Sequence, residues 1–82
     1  MDDFNQAVWL APKSAQAYYK RGTAHQMLGN LDQAIADYSA AIRLDPKDGK
    51  AYHWRGAMYK NRGETGKADE DFARAKELGH AP

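Results

Sequence analysis

Hydrophobic residues recur every three or four positions between residues 31 and 44. The recurring positions are Leu31, Ala34, Ile35, Tyr38, Ala41, Ile42 and Leu44. This spacing places them on one face of an α-helix, and so broad an apolar face predicts a helix that packs against its neighbours. Asn30, with Gln33 three residues later, predicts a capping box at the start of this helix. The Asp45-Pro46 pair predicts its end, because the residue before a proline disfavours helical geometry.

Start and stop signals predict three further helices after residue 13. Ser14 and Asp48 are of the type that caps helix N-termini, whereas Gly29 and Gly63 are of the type that ends helices. Thr65 follows the second of these glycines and opens the last helix. We therefore predict helices over about residues 14–28, 30–44, 48–62 and 65–77, which makes the fold class all-α.

The chain repeats itself with a period of 34 residues. Nine positions are identical when residues 15–48 are placed over residues 49–82, and most of them carry small or aromatic residues. The identical pairs are Ala17/Ala51, Tyr18/Tyr52, Arg21/Arg55, Gly22/Gly56, Gly29/Gly63, Ala34/Ala68, Asp37/Asp71, Ala41/Ala75 and Leu44/Leu78. Self-similarity at this period predicts antiparallel helical hairpins stacked side by side.

Two of the repeated residues are glycines inside predicted helices. Gly22 and Gly56 each cost about 1 kcal/mol of helix stability relative to alanine. We expect close approach of the partner helix to compensate for this cost, with Ala34 and Ala68 supplying the small surface opposite.

The repeated residues resemble the signature of the tetratricopeptide repeat family. The first unit carries Tyr18, Gly22, Ala34, Tyr38, Ala41 and Pro46, and the second carries Tyr52, Gly56, Ala68, Phe72 and Ala75. The resemblance implies a short right-handed α-solenoid of stacked helical hairpins. Arg21 and Arg55 stand where the family usually has leucine, and we interpret them as tolerated variation. His25 replaces an aromatic residue, and we expect it to be packed between helices.

The resemblance also covers the start of the chain. Phe4, Ala7 and Pro12 reproduce the spacing of Tyr38, Ala41 and Pro46 one period later. We therefore predict a single domain over residues 1–82, in which residues 1–13 form the second helix of a partial repeat. Residues 14–48 form a full repeat, and residues 49–82 form the C-terminal repeat.

In this family the first helix of each hairpin lines a concave groove that binds partners. Carried over by position, the predicted groove residues are Tyr19, Lys20, Thr23, Met27, Lys50, His53, Trp54, Ala57, Lys60 and Asn61. Aromatic and basic side chains suit an extended acidic peptide. The family's two-carboxylate clamp is not reproduced, since only Lys50 matches it. The resemblance implies a protein–protein interaction module with a scaffold or adaptor role.

The sequence leaves two alternative functions open. The first is self-assembly as a homodimer through Phe4, Val8 and Trp9, because the partial repeat lacks the helix that should cover it. The second, which is less favoured, is binding of single-stranded RNA by the aromatic and lysine side chains. Twelve Lys and Arg against eleven Asp and Glu leave a net charge of only +1, which argues against binding nucleic acid.

The composition argues against several other classes of protein. The chain has no cysteine, and its three histidines lack metal-ligand spacing, so we predict no metal and no cofactor. No phosphate-binding loop or nucleophile motif is present, and we predict no catalytic residues and no enzyme activity. No stretch approaches the roughly 20 apolar residues of a membrane span. The acidic start does not resemble a signal peptide, and we expect a cytoplasmic location.

Overall fold

The computed structural model describes residues 2–79, with the side chain of Asp2 left out, and these residues form five α-helices. The helices are α1 (Asp2–Leu10), α2 (Ala15–Met27), α3 (Leu31–Leu44), α4 (Gly49–Asn61) and α5 (Thr65–Glu77). The ends of α2 to α5 lie within one residue of the predicted ones, whereas α1 ends at Leu10, three residues before the end of the predicted segment. The all-α prediction is confirmed.

The five helices form two hairpins and a leading helix. Helix α2 packs along α3, and α4 packs along α5. The two hairpins meet where α3 lies against α4, and α1 packs on α2 at the other side of the stack. The described residues occupy a body of 33 × 25 × 16 Å. None of the described helices combines the length and the hydrophobicity that a membrane span requires.

The helix caps follow the predicted chemistry in two cases and depart from it in a third. The hydroxyl of Ser14 accepts a hydrogen bond from the backbone N–H of Ala17, at 3.2 Å. The carboxylate of Asp48 accepts one from the N–H of Lys50, at 3.1 Å. Asn30 precedes α3 but makes no capping hydrogen bond, so the predicted capping box is wrong. Its amide nitrogen lies 3.4 Å from Nδ1 of His25 instead.

The core lies between the helices of the two hairpins. One buried cluster contains Ala34, Ile35, Tyr38 and Met58, and Tyr38 is the largest fully buried side chain. A second cluster contains Ala41, Ile42 and Ala51. Both clusters join α3 to α4, so the apolar face recognised in the sequence holds the two hairpins together.

The repeated glycines stand where two helices approach closely. A Cβ on Gly22 would lie 3.1 Å from the ring of Tyr38, and one on Gly56 would lie 3.1 Å from Cβ of Asp71. The close approach is therefore confirmed. Its partners are an aromatic ring and an aspartate more than the predicted alanines, although the carbonyl oxygen of Ala68 would be 3.2 Å from the Cβ on Gly56.

Candidate functional site

Tyr19 of α2 and Trp54 of α4 meet between the two hairpins. Both are half-buried and pack against the cluster that contains Tyr38. Burial raises the pKa of Tyr19, and the negative charge of Asp48 raises it further, whereas a hydrogen bond with the Trp54 side chain opposes both effects. Tyr19 and Trp54 belong to different repeats of the sequence, and the fold brings them together.

Lys50 completes this aromatic and basic cluster. Its ammonium nitrogen lies 5.6 Å from the centre of the Tyr19 ring, within cation–π range. The ring of Tyr19 in turn lies 5.6 Å from that of Tyr38. We call Tyr19, Lys50 and Trp54 the aromatic-basic cluster.

A polar network fixes the buried side of the cluster. The hydroxyl of Tyr38 donates to the side-chain oxygen of Gln26 at 2.7 Å, and it lies 3.2 Å from the hydroxyl of Thr23. Thr23 also donates to the carbonyl oxygen of Tyr19 at 3.0 Å. The ring of Tyr38 is fixed by packing and its hydroxyl by hydrogen bonding. Tyr38 therefore forms a rigid surface against which Tyr19 packs.

Two open cavities adjoin the aromatic-basic cluster. The larger one has a volume of about 530 Å³ and is lined by Phe4, Tyr19, Lys20, Thr23, Ala24, Met27 and Leu28. The smaller one has a volume of about 320 Å³ and is lined by Ala15, Gln16, Tyr19, Lys20, Asp45, Asp48 and Lys50. Tyr19 and Lys20 line both, so the two cavities meet at these residues.

The remaining predicted groove residues are placed in four different ways. Lys20, Thr23 and Met27 line the larger cavity. His53 packs with its ring 5.0 Å from Trp54 and 5.5 Å from Phe72, measured between ring centres. Ala57 is partly buried against the core. Lys60 and Asn61 are exposed near the end of α4.

The predicted self-association surface is only partly exposed. Val8 is buried, with 8% of its surface exposed, so its predicted exposed position is wrong. Phe4 and Trp9 are exposed at 36% and 79%, and Leu10 is exposed beside them. The counterpart of Val8 one period later is Ile42, which is also buried and faces α4. Val8 faces α2 in the same way, which explains why it is buried.

Two ion pairs were missed by the sequence analysis. Arg21 donates through Nε and Nη2 to both carboxylate oxygens of Asp37, at 2.8 and 2.7 Å. Arg55 binds Asp71 in the same way, at 2.8 Å for both contacts. The interpretation of the arginines as tolerated variation is therefore wrong. The sequence did contain a signal for these ion pairs, since the arginine and the aspartate are both identical in the two repeats.

Both arginines are held in their charged form by these contacts. The hydrogen bond with Asp37 is the main cause that raises the pKa of Arg21, and burial opposes it. The pKa of Arg55 is raised in the same way by Asp71. Both aspartates are buried at 5% exposure, whereas the arginine side chains keep 24% and 20% of their surface exposed. Each buried carboxylate is therefore compensated by a guanidinium group that is still in partial contact with water.

Each arginine also reaches the helix that precedes its own. Nη1 of Arg21 donates to the side-chain oxygen of Asn5 in α1, at 3.3 Å. Nη1 of Arg55 donates to the hydroxyl of Ser39 in α3, at 3.2 Å. One guanidinium thus connects three consecutive helices at each junction.

His25 lies beside the first ion pair. It is half-buried, and its Nε2 is 3.8 Å from the carboxylate of Asp37. The third histidine of the chain, His80, lies outside the described residues. Within residues 2–79, no group of three histidine or acidic side chains is placed to hold a metal ion.

Stacked helical hairpins with a 34-residue period define a helical-repeat protein. Sequence comparison then places the chain: patterns described as tetratricopeptide repeat match residues 15–48 and 38–70. The chain belongs to the tetratricopeptide repeat family. A comparison with curated protein sequences gave no significant match.

Solved structures of MamA are similar in fold and sequence. A crystal structure of MamA has a TM-score of 0.91 and 32% identity, and the match covers 94% of this chain and 45% of that one. MamA 41-end from Desulfovibrio magneticus RS-1 has a TM-score of 0.88 and 31% identity, with 92% and 42% covered. The chain thus spans less than half the length of these structures. The fold and the family support a protein-interaction or scaffold module.

Proposed function

We propose that the chain binds an extended segment of a partner protein across the aromatic-basic cluster and its two cavities. The observation that carries this proposal is the meeting of both cavities at Tyr19 and Lys20. Tyrosine and tryptophan supply large contact areas and are enriched among residues that dominate binding energy. The role is one of recognition, without a catalytic step.

The chemistry of the two cavities specifies the segment. The larger cavity is mainly apolar and suits a large hydrophobic side chain of the partner. Lys20 stands between the cavities and suits a neighbouring carboxylate. Asp45 and Asp48 line the smaller cavity beside Lys50, so a strongly acidic segment would meet repulsion there. We therefore narrow the expected acidic peptide to one with a hydrophobic anchor next to a single acidic residue.

Selection from a random peptide library tests this proposal. Peptides selected by the wild-type chain should pair a large hydrophobic residue with an adjacent Asp or Glu. Lys20→Glu should weaken their binding about tenfold or more, because it replaces an attractive charge by a repulsive one. Lys76→Glu is the matched control, since Lys76 is exposed on α5 and lines neither cavity. Selected peptides that bind both variants equally would contradict the proposal.

Self-association is a second candidate, favoured by the exposed apolar residues of α1. Trp9, Leu10 and Phe4 are exposed together on one short helix, and exposed apolar patches often mark interfaces. Sedimentation over a wide concentration range should then show a dimer that Trp9→Lys dissociates. A monomer at high micromolar concentration would exclude this candidate.

A further inference from the structure

Hydrogen bonds link the buried core of the first hairpin to the surface of α2. They join the side chains of Thr23, Gln26 and Tyr38, which we call the polar trio. The hydroxyl of Tyr38 lies 2.7 Å from the side-chain oxygen of Gln26 and 3.2 Å from the hydroxyl of Thr23. A separation of 2.7 Å is the usual length of an O–H···O bond. The amide oxygen of Gln26 therefore faces Tyr38, and its amide nitrogen faces away.

The second hairpin lacks the polar trio, because apolar or charged residues stand at all three positions one period later. These residues are Ala57, Lys60 and Phe72. The helices of the second hairpin nevertheless pack along each other as those of the first do, so packing does not require the trio. A buried hydroxyl costs free energy unless it is hydrogen-bonded, and phenylalanine avoids this cost. The polar trio therefore points to a role other than packing.

The amide nitrogen of Gln26 is the outer end of the polar trio. Within residues 2–79 it makes no hydrogen bond, and it is not among the buried polar atoms that lack a partner. It therefore presents its two N–H donors to solvent. Since Tyr38 is 0% exposed and binds the amide oxygen, the direction of these donors is fixed.

Gln26 continues the face of α2 that carries Tyr19. Tyr19, Thr23 and Gln26 follow one another at spacings of four and three residues, which places them on one side of the helix. Tyr19 packs against the same buried cluster as Trp54 of α4, so this side of α2 faces α4. The donors of Gln26 thus lie along the path of a segment that crosses Tyr19 and Trp54.

We propose that Gln26 is a specificity-determining residue, which donates a hydrogen bond to a backbone carbonyl oxygen of the partner segment. This role rests on the function proposed above and adds the group that recognises the main chain of the segment. An extended segment on Tyr19 and Trp54 loses water from its carbonyl oxygens, and these oxygens need donors in exchange. The charge of Lys20 suits a carboxylate, whereas the neutral amide of Gln26 suits a neutral carbonyl.

A peptide selected by the wild-type chain from the random library provides the probe. Gln26→Glu keeps an oxygen that accepts from Tyr38 but replaces the two N–H donors by a second acceptor. Binding of the probe should weaken about tenfold or more, because two acceptors then face each other. The midpoint of urea unfolding should change little. Gln33→Glu is the matched control, since Gln33 is exposed on α3 and its replacement should leave binding unchanged.

Amide-to-ester replacement along the probe locates the recognised carbonyl, since an ester carbonyl is the weaker acceptor. At one position the ester should weaken binding to the wild type about fivefold, and it should cost nothing further against Gln26→Ala. Tyr38→Phe should weaken binding of the unmodified probe about threefold. It should add nothing to Gln26→Ala, because the hydroxyl of Tyr38 acts only by orienting the amide of Gln26.

The outcomes separate this role from the function on which it rests. Equal binding of the probe to the wild type and to Gln26→Glu would overturn the role of Gln26 and leave the segment-binding function intact. An ester scan in which no position depends on Gln26 would do the same. A library that yields no peptide would overturn both.

Discussion

At the scale of single residues, the arginine–aspartate pairs dominate the polar interior. Asp37 and Asp71 are buried, and each is satisfied by two hydrogen bonds from one guanidinium. Buried pairs of this kind contribute little net stability when compared with apolar replacements, but they are costly to break from one side. Their effect is therefore best measured by removing one partner and then both.

Arg55→Leu should lower the free energy of unfolding by about 3 kcal/mol, because it leaves the carboxylate of Asp71 buried without a partner. The double variant Arg55→Leu with Asp71→Ala should recover a large part of that loss. Urea unfolding followed by circular dichroism measures both effects. Losses that simply add in the double variant would show that the two side chains are not energetically coupled.

Gly22→Ala should destabilise the chain by about 1 kcal/mol, because overpacking against a fixed ring exceeds the gain in helix propensity. The added Cβ would lie 3.1 Å from Tyr38, which is buried and bound at its hydroxyl. Gly66→Ala is the matched control: nothing lies within 4 Å of its Cβ, and it should stabilise slightly. Two stabilising substitutions would show that the ring can move aside.

The stability of the chain should fall in alkaline solution through Tyr38. Burial is the main cause that raises the pKa of this phenol in the folded state. The unfolded chain therefore loses the proton first, near pH 10, and the contribution of Tyr38 is present below that pH and is lost as the pH rises through the folded pKa. Tyr38→Phe should flatten the decline of unfolding free energy measured by urea between pH 8 and 11. Phe72 occupies the position equivalent to Tyr38 in the second repeat, so a ring without the hydroxyl group fits at this position. An unchanged slope would assign the decline to other groups.

At the scale of elements, the helices could be predicted from the sequence almost completely. Ser14 and Asp48 cap as expected, and Gly29 and Gly63 adopt the positive φ angles that end α2 and α4. The failures concern side chains whose partners lie in another helix. Asn30 turns towards His25 instead of capping, and the arginines find aspartates 16 residues away. Local propensity carries no information about such contacts.

The two hairpins differ in one face of their second helix. This is the face of α3 or α5 that points away from the first helix of the same hairpin. Ile35 and Ile42 of α3 are buried at the junction with α4, whereas Asp69 and Lys76 hold the same positions in α5 and are exposed. Asp69→Ile with Lys76→Ile should therefore create an apolar face and promote association, as measured by sedimentation. The control, Glu70→Ile with Glu77→Ile, changes positions that are exposed in both hairpins. A double variant that stays as monomeric as the parent would contradict this role.

At the scale of the whole molecule, the sequence was sufficient to predict which residues belong to the candidate site. It was not sufficient to predict how these residues are arranged in space. Tyr19, Lys50 and Trp54 were all identified from the sequence, and the fold joins them into one cluster. The cavity beside them was not foreseen, because it depends on how α1 lies against α2. Trp54 is half-buried and packs against the core cluster, so we expect Trp54→Ala to lower stability in addition to any effect on the proposed binding.

Stability should be distributed unevenly over the helices. Helix α1 has nine residues and packs only on α2 among its larger contacts, whereas α3 lies between α2 and α4. Hydrogen exchange should therefore be fastest for the amides of α1 and slowest for those of α3. Helix α5 serves as the comparison, since it also has one main neighbour but packs along the whole of α4. Equal protection of α1 and α3 would show that the molecule opens only as a unit.

The guanidinium of Arg21 touches Asn5 in α1 and Asp37 in α3, and that of Arg55 touches Ser39 and Asp71. Arg55 thus connects the two hairpins, and Arg21 connects α1 to the first hairpin, so a change in either interhelical angle stretches at least one of these bonds. These contacts between successive helices are thus made by side chains that line neither cavity. Ser39→Ala removes one of these bonds without touching the clusters that join α3 to α4, so it separates the contribution of the guanidinium contact from that of the apolar packing.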